Sequence, residues 1–267
     1  YQVDTLIGAN KYPEKMGMNS FLNLIYTNKN FEAGMRYEAY LSPLQGFDRA
    51  LDASGFANRY VKYSAENFEF TAGNFYEQFG SGMILRAYEE WNLGFDNSID
   101  GVRVKYKTKY LTLTGLIGNQ RTLWDLGEGK VRGFDAELSV NDLFKPLADK
   151  KTRIRLGGSF VSRYQADLDP IFVLPENVGA YSGRINLYRG GFTASAEMGD
   201  KINGPNASNG LIYKPGHAAL VQLGYSRKGL GFNLQAKRTD NMDFRSERSA
   251  SGFNLPINYL PSISKQH

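Results

Sequence analysis

The densest concentration of reactive side chains is the stretch GNFYEQFGSGMILRAYEEW, Gly73 to Trp91, which sets Glu77, Arg86, Glu89 and Glu90 among aromatics and glycines. Carboxylates so placed suggest acid/base work, which requires two of them to converge on one cavity. Glu89 and Glu90 are adjacent, so extended chain points them to opposite faces; they pair only if the loop bends. The glycines of GSGMIL lack the third position of a dinucleotide fingerprint and open no clear helix. Asp167 and Asp169 in ADLDP, with Asp125 or Asp240, offer oxygen ligands for calcium, but a full loop motif is missing and solvated loop acids are the commoner case. The chain has no cysteine, which removes disulfides, thiol nucleophiles and thiolate metal sites. It has 2 histidines, His217 and His267, too few for most histidine metal centres and a poor basis for a Ser-His-Asp triad. His217 opens an expected strand, where a structural hydrogen-bonding role is the default. Asn206-Ala207-Ser208 matches a glycosylation sequon, a pattern short enough to arise often by chance. No catalytic motif emerges, and neither a metal nor a cofactor is expected.

The elements that would position these groups alternate with period two. In FEAGMRYEAYLS, Phe31, Ala33, Met35, Tyr37, Ala39 and Leu41 oppose Glu32, Gly34, Arg36, Glu38, Tyr40 and Ser42. The same alternation surrounds Gly190-Gly191, a turn suited to positive φ. Repeated along the chain, it predicts about twelve strands, at 16–27, 30–43, 57–65, 67–73, 99–107, 109–119, 131–141, 152–165, 179–189, 191–200, 217–227 and 229–239. Their connections alternate between short turns and long loops, the loops near 44–56, 74–98, 120–130, 166–178 and 201–216. The link at 142–151 is intermediate. This parity fits an up-and-down antiparallel transmembrane β-barrel better than a Greek-key sandwich.

Composition agrees. Mean hydropathy is -0.43, aromatics make up 13% of the chain and glycine 29 residues, as expected where apolar residues are diluted by alternation. Tyr26, Phe31, Tyr63, Phe68, Tyr106, Phe192, Tyr225 and Phe232 flank the short turns. That is the placement of a membrane-interface girdle. The net charge of +5 is spread among interleaved acids and bases, which argues against nucleic acid. The polar phase, with Arg103, Lys105, Arg153, Arg155 and Arg184 among its cations, would line the lumen. It reads either as a weakly anion-preferring pore or as a ladder of ion pairs knitting strands across a filled interior. The ladder is preferred because both signs occur on neighbouring strands. Arg59 falls in the apolar phase near a long-loop end, where an arginine can snorkel.

The blocks NFYEQFGSGMILRAYEEWNLGFDNSIDGVRVKY, KMGMNSFLNLIYTNKNFEAGMRYEAYLSPLQGFD and GLIYKPGHAALVQLGYSRKGLGFNLQAKRTDNMDFRSER resemble an uncharacterised family of Bacteroidota outer-membrane β-barrel proteins. The resemblance implies a fold and a compartment and carries over no catalytic residue; by the parity of the connections the short turns are expected to be periplasmic and the long loops extracellular. Residues 1–267 are expected to form one barrel domain, a segment of a larger barrel, because members of the family look longer and YLPSISKQH is not a closing aromatic strand. The expected function is a non-enzymatic accessory or scaffold subunit of a larger outer-membrane assembly, touching lipids and other outer-membrane proteins. The alternative is a porin-like transport channel. An enzyme using Glu77, Glu89 or Glu90 is a third possibility. The opening stretch is expected to fold into the barrel mouth, with Glu77, Arg86, Glu89 and Glu90 as ion pairs.

Overall fold

The computed structural model describes residues 16–44, 46–248 and 256–259. His267, and all of YLPSISKQH after Tyr259, lie outside the described residues. Twelve strands form one sheet: β1 (Met18–Asn28), β2 (Phe31–Leu41), β3 (Ala53–Ser64), β4 (Phe68–Phe75), β7 (Ile99–Lys107), β8 (Leu111–Thr122), β9 (Asp125–Ser139), β10 (Thr152–Tyr164), β11 (Asn177–Arg189), β12 (Phe192–Lys201), β13 (Gly216–Arg227) and β14 (Leu230–Asp240). The intervening β5 (Glu89–Glu90) and β6 (Phe95–Asp96) pair only with each other. Every pairing is antiparallel and follows chain order, so the topology is an up-and-down meander. No pairing joins β1 to β14 among the described residues, and the sheet ends at these two strands.

The alternation decides which side chain faces which way. Leu24, Phe134 and Leu234 point outward and are 53%, 50% and 61% exposed. Val131 and Val161 point inward and are 0% exposed. A soluble sandwich buries its apolar strand face. Here the apolar face is the open one and the interior takes the charged phase, as in a wall that lipid covers. Tyr26, Phe31, Tyr63, Phe68, Tyr106, Phe192, Tyr225 and Phe232 all lie in the outward phase beside short turns, and the Tyr225 and Phe232 rings are 5.9 Å apart.

Three connections depart from expectation. The loop expected at 120–130 is a tall hairpin, because β8 runs to Thr122 and β9 begins at Asp125. A register shift near Asn119 and Arg121 accommodates its extra residue. The strand expected from residue 57 starts at Ala53, with a bulge opposite Arg36 and Tyr37. The intermediate link carries two one-turn helices, α1 (Val140–Leu143) and α2 (Lys145–Ala148). Asn141 ties them to the wall, accepting from Ile154 N at 2.8 Å and donating to the carbonyls of Leu147 and Thr152.

Candidate functional site

The candidate site is the filled lumen. Residues 76–98 leave β4 and turn into the barrel, where Phe79, Met83, Ile84 and Leu85 are buried against Leu116, Val131, Val161 and Leu220 of the wall. The segment doubles back on itself, with Phe79 N donating to Leu85 O and Ala87 N to Glu77 O. Segments 242–248 and 256–259 stack beside it: Arg86 N donates to Ile257 O, Tyr259 N to Gly82 O and Ile257 N to Phe244 O. Buried amides satisfy much of the remaining backbone. Asn258 donates to the carbonyls of Met83 and Met242 at 2.9 and 2.8 Å. Asn97 receives Tyr88 N at 2.6 Å and donates to Arg86 O and Pro256 O.

Charged sockets tie this plug to the wall. In the first, Arg36 pairs with Glu38, Glu89 and Asp96 at 2.7, 2.8 and 2.8 Å. Arg121 pairs with Glu38 at 2.8 Å and Asp96 at 2.6 Å. Tyr76 donates to Glu89 at 3.2 Å. Burial pushes the Tyr76 phenol well above its ordinary range, reinforced by Asp96 and Glu89, so it stays a donor. Burial also raises the Glu89 carboxyl, against the pull of Arg36. The carboxylates of Glu38, Glu89 and Asp96 bring oxygens within 4.8 Å of one another. Two guanidiniums already satisfy them, so the group is an ion-pair network and no free cation site. In the second socket, Glu77 meets Arg103 at 3.2 Å and Lys105 at 2.7 Å, and Arg103 also holds Glu69 and the Tyr76 carbonyl. Within the wall itself, Arg184 of β11 meets Asp135 and Glu137 of β9 at 2.8 and 3.6 Å, its guanidinium lying over Gly157, where a Cβ would collide with it. Glu197 accepts Ser81 N at 2.8 Å and so holds the tip of the plug.

Two expected ion pairs take another form. Arg86 lies between the rings of Tyr88 and Tyr259, 4.8 and 5.0 Å from their centroids. The turn that carries it offers π faces where an acid was expected. Glu90 caps the one-turn helix Trp91–Leu93 by accepting from Asn92 N, because β5 turns its side chain away from Arg36 and Glu89. Arg153 and Arg155 sit near the short turns, 3.9 Å from Asp142 and 3.6 Å from Glu137, with half-exposed side chains. Glu77, Glu89 and Glu90 therefore go to three different partners and do not converge on a cavity.

The other sequence candidates are occupied locally. Asp169 accepts Ile171 N and Phe172 N at 2.8 Å each, bonds that lower its carboxyl. Asp167 accepts Leu174 N. Asp240 pairs with Lys214, and His217 contacts Asp200. Asn206 is buried and caps the turn Ala207–Asn209. Arg59 is exposed on the outer face, 3.5 Å from Asp100. Sequence reasoning missed Asp96, Asn97 and Arg121, whose only signal was polarity inside segments taken for loops.

No curated protein matches the chain. Among solved structures it is similar to OccD3 (OpdP) of Pseudomonas aeruginosa at 13% identity and a TM-score of 0.41, with 84% of this chain and 66% of that one covered. A BenF-like porin from Pseudomonas fluorescens Pf-5 matches at 11% identity and 0.36, with 84% and 87% covered. The outer membrane channel DcaP of Acinetobacter baumannii matches at 12% and 0.40, with 83% and 66% covered. The chain thus spans about two thirds of the length of OccD3 and of DcaP. Scores this low carry no argument about what this chain does. The family model is another matter, for it matches residues 1–267, and the chain belongs to the family of unknown function DUF6029.

Proposed function

We propose that the protein is an integral outer-membrane β-barrel that acts as a narrow, porin-like channel, with passage set by residues 76–98 folded into its lumen. One observation carries this reading: an apolar outer wall encloses a charged inner wall, and the inward-folded segment is tied across it by Glu77 and Glu89. A loop held by ion pairs inside a barrel is a constriction whose width its own charges set. Below it, toward the short turns, lies a polar cavity of about 240 Å³ bordered by Glu137, Arg184, Ser195 and Glu197. Asn186, Ser195 and Gln222 also border a wider hollow of about 470 Å³ at the same end. Arg153 and Arg155 stand half-exposed on the inner wall at that end, which supports a weak anion preference. In this reading the short turns face the periplasm, the long loops face outward, and the aromatic girdle meets lipid headgroups. The reading assigns the barrel no catalytic step.

Planar-bilayer recording tests it. Wild type is expected to conduct weakly, Glu77→Gln and Glu89→Gln to raise conductance by loosening the plug, and Arg155→Gln to weaken the anion preference. Silence from the wild type and from both plug variants would overturn it.

A second reading, the accessory or scaffold subunit, is favoured by the sheet edges. β1 and β14 each lack a second neighbour among the described residues, and backbone groups within a membrane must be satisfied. Purification in gentle detergent with a stoichiometric membrane partner would support it; a barrel that runs alone would remove it.

A further inference from the structure

We propose that the long-loop end of the barrel holds a buried oxyanion site built by Arg163, Ser246, Arg248 and Lys201. Arg163 stands one residue from the end of β10, faces inward and is 2% exposed. Its Nη1 donates to the Arg245 carbonyl at a long 3.4 Å, while Nε and Nη2 meet no acceptor. Ser246 is 0% exposed and its Oγ has no partner. Arg248 spends its terminal nitrogens on the carbonyls of Gln165, Ala166 and Pro175, but its Nε is unpartnered. Lys201, 1% exposed at the end of β12, has one bond, to the Asp243 carbonyl at 2.7 Å.

These groups belong to one place. The segment carrying Ser246 and Arg248 crosses β9 and β10 so closely that a side chain on Gly129 would strike the Ser246 carbonyl and come within 3.3 Å of Arg163 Cγ. Arg248 N donates to Gln165 Oε1 at 3.0 Å, two residues beyond Arg163. Lys201 is bonded to Asp243, three residues before Ser246. All the unpartnered atoms can donate. Elsewhere in the lumen Arg36, Arg103, Arg121 and Arg184 each meet carboxylates. Among the described residues no carboxylate is within ion-pair distance of Arg163, Lys201 or Arg248; Asp243 acts on Lys201, and Asp167 and Glu176 on Arg248, from farther off, whereas Arg163 faces the like charge of Arg248. A buried guanidinium without a counter-charge is strongly disfavoured. The missing partner is an acceptor with negative charge. A guanidinium edge offering two adjacent donors matches the oxygens of a phosphate or a carboxylate.

The test uses the full chain folded in detergent, titrated with inorganic phosphate, with acetate as a second arm and chloride at equal ionic strength as the control. Phosphate or acetate, but not chloride, is expected to raise Tm saturably. The oxyanion with the larger effect identifies tetrahedral or planar geometry, and either supports the site. Arg163→Gln is expected to weaken the effect at least tenfold, and Arg189→Gln, on an exposed strand end, to leave it unchanged. If Arg163→Gln does not fold, Ser246→Ala removes one donor with little change of shape, and equilibrium dialysis of labelled phosphate reads the loss. No oxyanion-dependent shift in the wild type, or undiminished binding in both Arg163→Gln and Ser246→Ala, would overturn the proposal.

Discussion

At the scale of single residues, burial decides what a charge is worth. The side chains of Arg121 and Glu38 are 5% and 2% exposed and bonded to each other at 2.8 Å. Replacing Arg121 by Met leaves three enclosed carboxylates, Glu38, Glu89 and Asp96, to the single charge of Arg36. Breaking one side of a buried pair costs about 3–5 kcal/mol, so Arg121→Met should lower the denaturant midpoint steeply. Arg153 sits 3.9 Å from Asp142 with 53% of its side chain exposed. Arg153→Gln should change stability by less than about 1 kcal/mol. Equal effects of the two substitutions would sink the distinction between buried sockets and solvent-exposed pairs. Arg86 illustrates a limit of reading charge from sequence. Its positive charge was visible, but whether an acid or a ring would face it depended on Tyr259, distant in sequence.

At the scale of elements, the plug is a packed unit with one narrow tip. Gly80 adopts φ +53°, and a Cβ there would sit 2.6 Å from the Glu197 carboxylate that holds Ser81 N. Gly80→Ala thus combines a left-handed penalty of roughly 1–2 kcal/mol with the loss of the Glu197 tie. The expected outcome is faster hydrogen exchange at the Ser81 amide and a lower Tm; unchanged exchange would show that the tip is held elsewhere. The β8–β9 hairpin shows why part of the architecture was hidden. Gly127, Glu128, Gly129 and Lys130 alternate small with charged residues, so no apolar signal marks a strand. The glycines face inward, where Glu247 and the Ser246 carbonyl leave no room for a side chain. The outward positions lie above the apolar band, and nothing there demands an apolar side chain.

At the scale of the whole molecule, the two faces of the sheet answer to different solvents. Phe134→Arg puts a charge on the outer face and should cost about 2–4 kcal/mol if it lies near the bilayer midplane. Asn186→Lys, on the inner wall beside the polar cavity, should cost much less. Folding yield into lipid vesicles measures both. If the two were tolerated equally, the outer face would not be a lipid face.

The sequence by itself determined the all-β class, the chain-order meander and the facing of residues in the strands that alternation marked, because period-two alternation is local and each such strand carries its own copy of it. It also raised the expectation of an inward-folded loop carrying Glu77 and Glu89, since its glycines permit tight bends and its acids could meet the basic wall. Only the tertiary structure decided the partners. Arg36 meets Glu89 and Asp96, Arg121 meets Glu38, and Asn258 clasps Met83, across separations of 53, 60, 83 and 175 residues. Such contacts are set by how the plug and the wall fill one enclosed volume. That volume exists only once the strands have curled around it, and no local pattern in the chain encodes its shape.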